Sequence, residues 1–199
     1  MRNSLFKSDD FFTAACKFET SLILVAIFLG WIAGINPFTA LHFSASPIVY
    51  GVIGTAPLFL MFLGLQQMQG ESIVNIRKFL LNTLGPSLHA YQWPHLLLLG
   101  GIAGLSEELL FRGVIQPWIE SSWGMLAGLL GSNVIFGLLH AVTPLYAVLA
   151  AAVGIYLGWS LDYGGGRNLL TPILIHGLYD FLAFVALMRT YRASLLTAI

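Results

Sequence analysis

Residues 95–116 read HLLLLGGIAGLSEELLFRGVIQ. The stretch has the length of a membrane span, which needs about 20 mostly apolar residues. It also carries Glu107, Glu108 and Arg112 within two helical turns. In water that mixture is unremarkable. In lipid it demands a reason, because an ionisable side chain in the hydrocarbon region costs about 2.5–3.5 kcal/mol. The rest of the chain indicates the solvent. Of its 199 residues 57% are hydrophobic and 9% charged, whereas a soluble domain carries about a quarter charged residues. Lipid is the solvent this composition fits.

Five further apolar runs surround the first, at 20–41, 47–66, 123–142, 145–162 and 171–188. Their breaks carry turn chemistry: Asn36-Pro37, Ser46-Pro47, Trp93-Pro94, Pro117, Thr143-Pro144 and Gly164-Gly165-Gly166. The expected fold is all-α, a polytopic transmembrane helix bundle of about six spans with a C-terminal four-helix core. Arg2, Lys7 and Lys17 precede the first run, and no small-x-small site closes it. It reads as a retained span rather than a cleaved leader. Between the second and third spans, Ile73, Ile76, Leu80, Leu81 and Leu84 recur at helical spacing with Arg77, Lys78 and Asn82 between them. That pattern predicts an amphipathic helix over 71–91, lying at the interface. Three regions follow: a two-span N-terminal part over 1–94, a core over 95–188 and a cytoplasmic tail over 189–199.

Positive charge sets orientation. With the N-terminus inside, Arg2, Lys7, Lys17, Arg77, Lys78, Arg189 and Arg192 fall on the cytoplasmic side and Arg167 on the other. The expectation is a multi-pass protein of the cell (plasma or inner) membrane with both termini cytoplasmic. Net charge is zero and no basic tract suggests nucleic acid. The single cysteine, Cys16, excludes an intrachain disulfide and is assigned no role. Glycines four apart at 30/34, 100/104, 124/128 and 154/158 suit close helix approach.

The ionisable residues concentrate in the second half: Glu107, Glu108, Arg112, His140, His176 and Asp180. Glu19 and His42 stand at the edges of the first spans. On a helix Glu108 and Arg112 share a face, with the glutamate N-terminal, the favoured order. Glu107 points about 100° away and finds no partner on its own helix, which leaves it as a candidate general base. Phe136 lies one turn before His140 and can pack on its ring. His176 and Asp180, again four apart, face one way. Each feature has a plainer reading: one structural ion network around Arg112, an interfacial histidine, a structural His–Asp pair. Three such pairs on successive apolar helices point instead to convergence, and together they suffice to activate water.

These stretches resemble the motifs of the CAAX-processing and bacteriocin-processing (CPBP, or Abi) intramembrane proteases. That family's pattern is Glu-Glu-x-x-x-Arg, Phe-x-x-x-His, then His-x-x-x-Asn or Asp. Here it reads Glu107-Glu108 to Arg112, Phe136 to His140 and His176 to Asp180, with Pro172 four residues before His176. The resemblance covers about 95–188. It implies an intramembrane endopeptidase acting on a membrane-associated or lipidated peptide, with membrane lipid as its other partner. By resemblance Glu107 activates water, His140 positions it, and His176 with the residue at 180 stabilises the oxyanion. Glu108 and Arg112, with Phe136, support them. Asn is commoner where Asp180 stands. An amide donates a hydrogen bond, while an ionised carboxylate cannot. Asp180 is therefore a donor only when protonated; otherwise it orients His176 or binds metal.

Zn²⁺ held by Glu107, His140 and His176 is one alternative. The lack of a cysteine ligand and of His-Glu-x-x-His spacing favours a metal-free site with no cofactor. A non-catalytic immunity or scaffold protein that keeps the polar site for stability is the competing function. A proton-coupled transporter is a third, disfavoured because the first two spans carry too few polar groups. Hairpin geometry raises an objection to a shared site: a straight fifth helix separates His140 from His176 by roughly 15–20 Å. Tilt of that helix, a dip of the segment around 141–146, or shifted boundaries must close the gap around a cavity lined by Glu107, His140 and His176. The substrate, any prenyl group on it, and the oligomeric state are not legible.

Overall fold

A computed structural model describes residues 8–197, so Arg2 and Lys7 lie outside the described residues. The described chain is all-helical, as expected. Helix α1 spans Ser8–Ala33, α2 Ala45–Gln67, α3 Glu71–Leu88 and α4 Trp93–Leu110. A π-helical turn, Phe111–Ile115, carries α4 without interruption into α5, Gln116–Trp123. Then come α6, Met125–Leu139, α7, Pro144–Ser160, and α8, Leu170–Thr197. Phe11–Ala33, Ala45–Gln67 and Leu170–Thr197 are long and apolar enough to cross a membrane, and α6 and α7 are shorter apolar helices.

Three boundaries differ from the hydropathy pattern. The first helix occupies Ser8–Ala33 rather than 20–41. Backbone hydrogen bonding continues through the polar first turns, and Gly34 stops the helix at φ 69°, a conformation glycine adopts without steric cost. Pro117 does not close the third helix. It lacks an N–H and crowds the carbonyl four residues back, that of Gly113. Gly113 lies inside the π turn, where the hydrogen-bond register changes and the helix passes on. The last helix continues beyond 188 to Thr197, and Arg192 ties it down by donating to the carbonyls of His89 (2.8 Å) and Tyr91 (2.7 Å).

Helix α4 is the axis of the bundle, packed on α1 along one side and α8 along another. Helix α8 also packs on α2, and the α6–α7 hairpin rests on α5. Glycine makes the α4–α8 contact close: a Cβ on Gly104 would stand 2.6 Å from the Gly177 nitrogen, and one on Gly100 2.8 Å from the Gly177 carbonyl. In lipid no hydrophobic drive brings helices together, so contact area from small residues supplies the attraction. The π turn is covered by the loop after α1, where a Cβ on Gly113 would meet the Pro37 carbonyl at 2.7 Å. Helix α3 forms where the periodic pattern predicts it. Part of its apolar stripe turns to protein: Leu80, Leu81 and Leu84 pack on the cluster containing Phe62, Leu187 and Met188.

Gly104→Ala is expected to lower stability by about 1–3 kcal/mol, the cost of overpacking, because its neighbours are backbone atoms of α8. Gly101→Ala, whose Cβ would meet nothing within 4 Å, should not. Thermal unfolding in detergent compares the two.

Candidate active site

The first motif-bearing helix, α4 with its π turn, delivers its charges as its spacing requires. Glu108 and Arg112, one turn apart, meet at 3.0 Å, and neither side chain is exposed. The guanidinium reaches further than its own helix. Its Nη2 donates to Asn133 Oδ1 of α6 (2.8 Å) and to the Gly154 carbonyl of α7 (2.6 Å). The same Glu108 oxygen that takes Arg112 also takes His176 Nδ1 of α8, at 2.8 Å. One ion pair thus joins α4, the π turn, α6, α7 and α8. Phe136 seals it: its ring lies 5.1 Å from the guanidinium carbon, packs edge-on against Phe111 and stacks on His140 at 4.3 Å.

Glu107 turns away from that network. It is buried, and its Oε2 has no hydrogen-bond partner among the described residues. The nearest basic atom is His140 Nε2, 3.8 Å away, too far for a direct hydrogen bond. His140 Nδ1 lies 2.9 Å from the Phe136 carbonyl. A carbonyl only accepts, so Nδ1 carries the hydrogen, and the neutral ring presents the Nε2 lone pair to Glu107. His176 Nε2 faces Asp180 Oδ2 at 3.7 Å. Glu107, His140, His176 and Asp180 line one cavity of about 140 Å³, with Phe136 and Tyr179 beside them and Met61 and Leu65 of α2 across from Val153 of α7. Asp180 and His140 are the more exposed of the four, at 23% and 33% of their side chains.

The depth objection is met by short helices. At 15 and 17 residues, α6 and α7 are about 22 and 25 Å long, less than the ~30 Å hydrocarbon core. His140 is the C-cap of α6, and its Nε2 stands 3.8 Å from Glu107 Oε2, so the two lie at one level of the bundle. The centroid of its stacking partner Phe136 is 6.3 Å from that of His176.

Two participants escaped the sequence analysis. Asn133 is fully buried against Arg112. Its signal was present: a lone amide in an apolar helix, seven residues before His140 and so on the same face. Glu19 belongs mid-helix once α1 begins at Ser8, and its Oε2 accepts from Ser106 Oγ at 3.2 Å. Among the described residues no three His, Cys, Asp or Glu side chains are arranged to hold a metal ion. His176 commits Nδ1 to Glu108, so Nε2 is the ring nitrogen it turns toward the cavity.

Residues 89–182 match the family model of Type II CAAX prenyl endopeptidases, Rce1-like. The match takes in all three motifs and is consistent with the CPBP resemblance. No curated protein and no solved structure matches the chain.

Removing the hub has a definite expected result. Arg112→Ala leaves Glu108 buried without its cation and should destabilise the protein by about 3–5 kcal/mol. Denaturation monitored by helical circular dichroism in detergent measures it.

Proposed function

With residues 89–182 forming an Rce1-like, Type II CAAX prenyl endopeptidase domain, we propose that this protein is an intramembrane endopeptidase whose attacking water is activated by Glu107. The observation that carries the reading is the unpartnered Glu107 Oε2 facing His140 Nε2 across 3.8 Å, in a cavity shared with His176 and Asp180. Both atoms are acceptors. A water beside them donates one hydrogen to each and directs an oxygen lone pair outward. That is what a nucleophilic water requires.

The chemistry then follows from these side chains. Glu107, as carboxylate, takes a proton while the water oxygen bonds to the scissile carbonyl carbon. The carbonyl π electrons move onto oxygen. His176, held by Glu108, meets that oxyanion with Nε2 when the ring is doubly protonated, and Asp180 orients or neutralises it. When the intermediate collapses, the C–N bond breaks and Glu107 returns its proton to the leaving amine. Glu108, Arg112 and Phe136 act by holding the two imidazoles opposite Glu107. The reaction written this way routes no step through a metal or cofactor.

The substrate class is a membrane-associated or lipidated peptide, because apolar walls from α2 and α7 flank the polar floor. The core of the enzyme is 95–188, and 1–94 is its N-terminal two-span region. The basic residues Arg77, Lys78, Arg189 and Arg192 support a topology with both termini in the cytoplasm and Arg167 on the far side.

Glu107→Gln is expected to lower turnover by about 10²–10⁴-fold with expression and melting unchanged, in an assay of membranes against a lipidated peptide library. Unaltered cleavage, or a phenotype that survives the change, would turn the reading toward a scaffold. Thorough chelation should leave turnover intact; loss that Zn²⁺ restores would overturn the metal-free mechanism.

A further inference from the structure

We propose that Asn133 is a positioning residue for hydrolysis: through Arg112 it sets the rotation and depth of α6, and thereby the place of His140 opposite Glu107. The inference deepens the proposed protease reading and rests on it.

Asn133 has no exposed surface and no contact with the cavity, so it cannot touch substrate. Its amide stands in one orientation only. Oδ1 accepts from the Arg112 guanidinium at 2.8 Å, and Nδ2 donates to the Leu129 carbonyl of its own helix at 2.7 Å. Rotating the amide would oppose donor to donor and acceptor to acceptor. Helix α7 is shaped to receive it. A Cβ on Gly154 would collide with Asn133 Oδ1 and stand 3.1 Å from Arg112 Nη2, and one on Gly158 would stand 3.2 Å from Asn133 Nδ2. The Gly154/Gly158 pair therefore clears room for a polar joint as well as for close helix approach.

The joint matters because of where the helix goes next. Asn133 and His140 are seven residues apart, two turns, on one face of α6. Arg112 is anchored on the far side by Glu108, which also holds His176. Both imidazoles are thereby referenced to one guanidinium: His176 through a shared carboxylate and His140 through Asn133. The His140–Glu107 gap of 3.8 Å suits a shared water. Release of α6 changes that gap, and small misplacements of reacting groups are costly to turnover.

Asn133→Leu keeps the branching of the side chain and removes both polar contacts. Gly154→Ala breaks the same joint from α7. Steady-state cleavage of a lipidated peptide by the full chain in nanodiscs, with melting as a folding control, should show kcat lowered about tenfold or more and KM within about twofold for folded variants. In the His140→Ala background the same changes should cost less than about twofold further, since the group they position is gone. Wild-type turnover in both variants, or an equal loss with and without His140, overturns the inference. Cleavage that does not need Glu107 defeats the protease reading instead, whatever Asn133 does.

Discussion

A carboxylate and a guanidinium with no exposed side-chain surface cannot stand alone in a membrane bundle, and the Glu108–Arg112 pair is organised around that constraint. Neither charge is tolerable there without the other, and their mutual attraction does not by itself satisfy all their donors and acceptors. Part of the remaining capacity goes to other helices, to Asn133 on α6, the Gly154 carbonyl on α7 and His176 on α8, while Glu108 Oε2 and Arg112 Nε have no hydrogen-bond partner among the described residues. Burial of one ion pair thus dictates that four helices meet at a point. Lipid supplies no competing partner, so the polar groups find each other.

Glu107 gains its character from the same arrangement by exclusion. Its neighbour in sequence consumes the available cation. What remains is a buried carboxylate with an unpartnered oxygen, facing the lone-pair side of an imidazole. That imidazole is fixed by two contacts to one residue: Nδ1 to the Phe136 carbonyl and the ring face to the Phe136 ring. Because Phe136 also covers Arg112, the aromatic residue separates the structural charge network from the cavity while positioning a group in each.

The surrounding helices make such a centre affordable. Close approach of α4 and α8 at Gly100, Gly104 and Gly177 brings His176 within reach of Glu108. The π turn at Phe111–Ile115 carries the long helix past Pro117 and contains Arg112, keeping the guanidinium on the side where α6 and α7 arrive. Helix α1, outside the matched domain, closes the other face of α4 and brings Glu19 to Ser106, the residue before Glu107.

Apolar run lengths, the proline and glycine breaks and the excess of buried charge determined that this chain is a helical membrane bundle, and one-turn spacing determined which polar residues share a face. Those properties are local and follow from helical periodicity alone. The pairing of Glu108 with Arg112 was legible for that reason, as was the stacking of Phe136 on His140. Tertiary structure decided the rest. Glu108 holds His176, Asn133 accepts one of the guanidinium's hydrogen bonds, the first helix starts at Ser8, and α6 stops short so that His140 remains at the level of Glu107. Each depends on how far one helix extends and which neighbour it meets, and no spacing within a single helix encodes the distance to another.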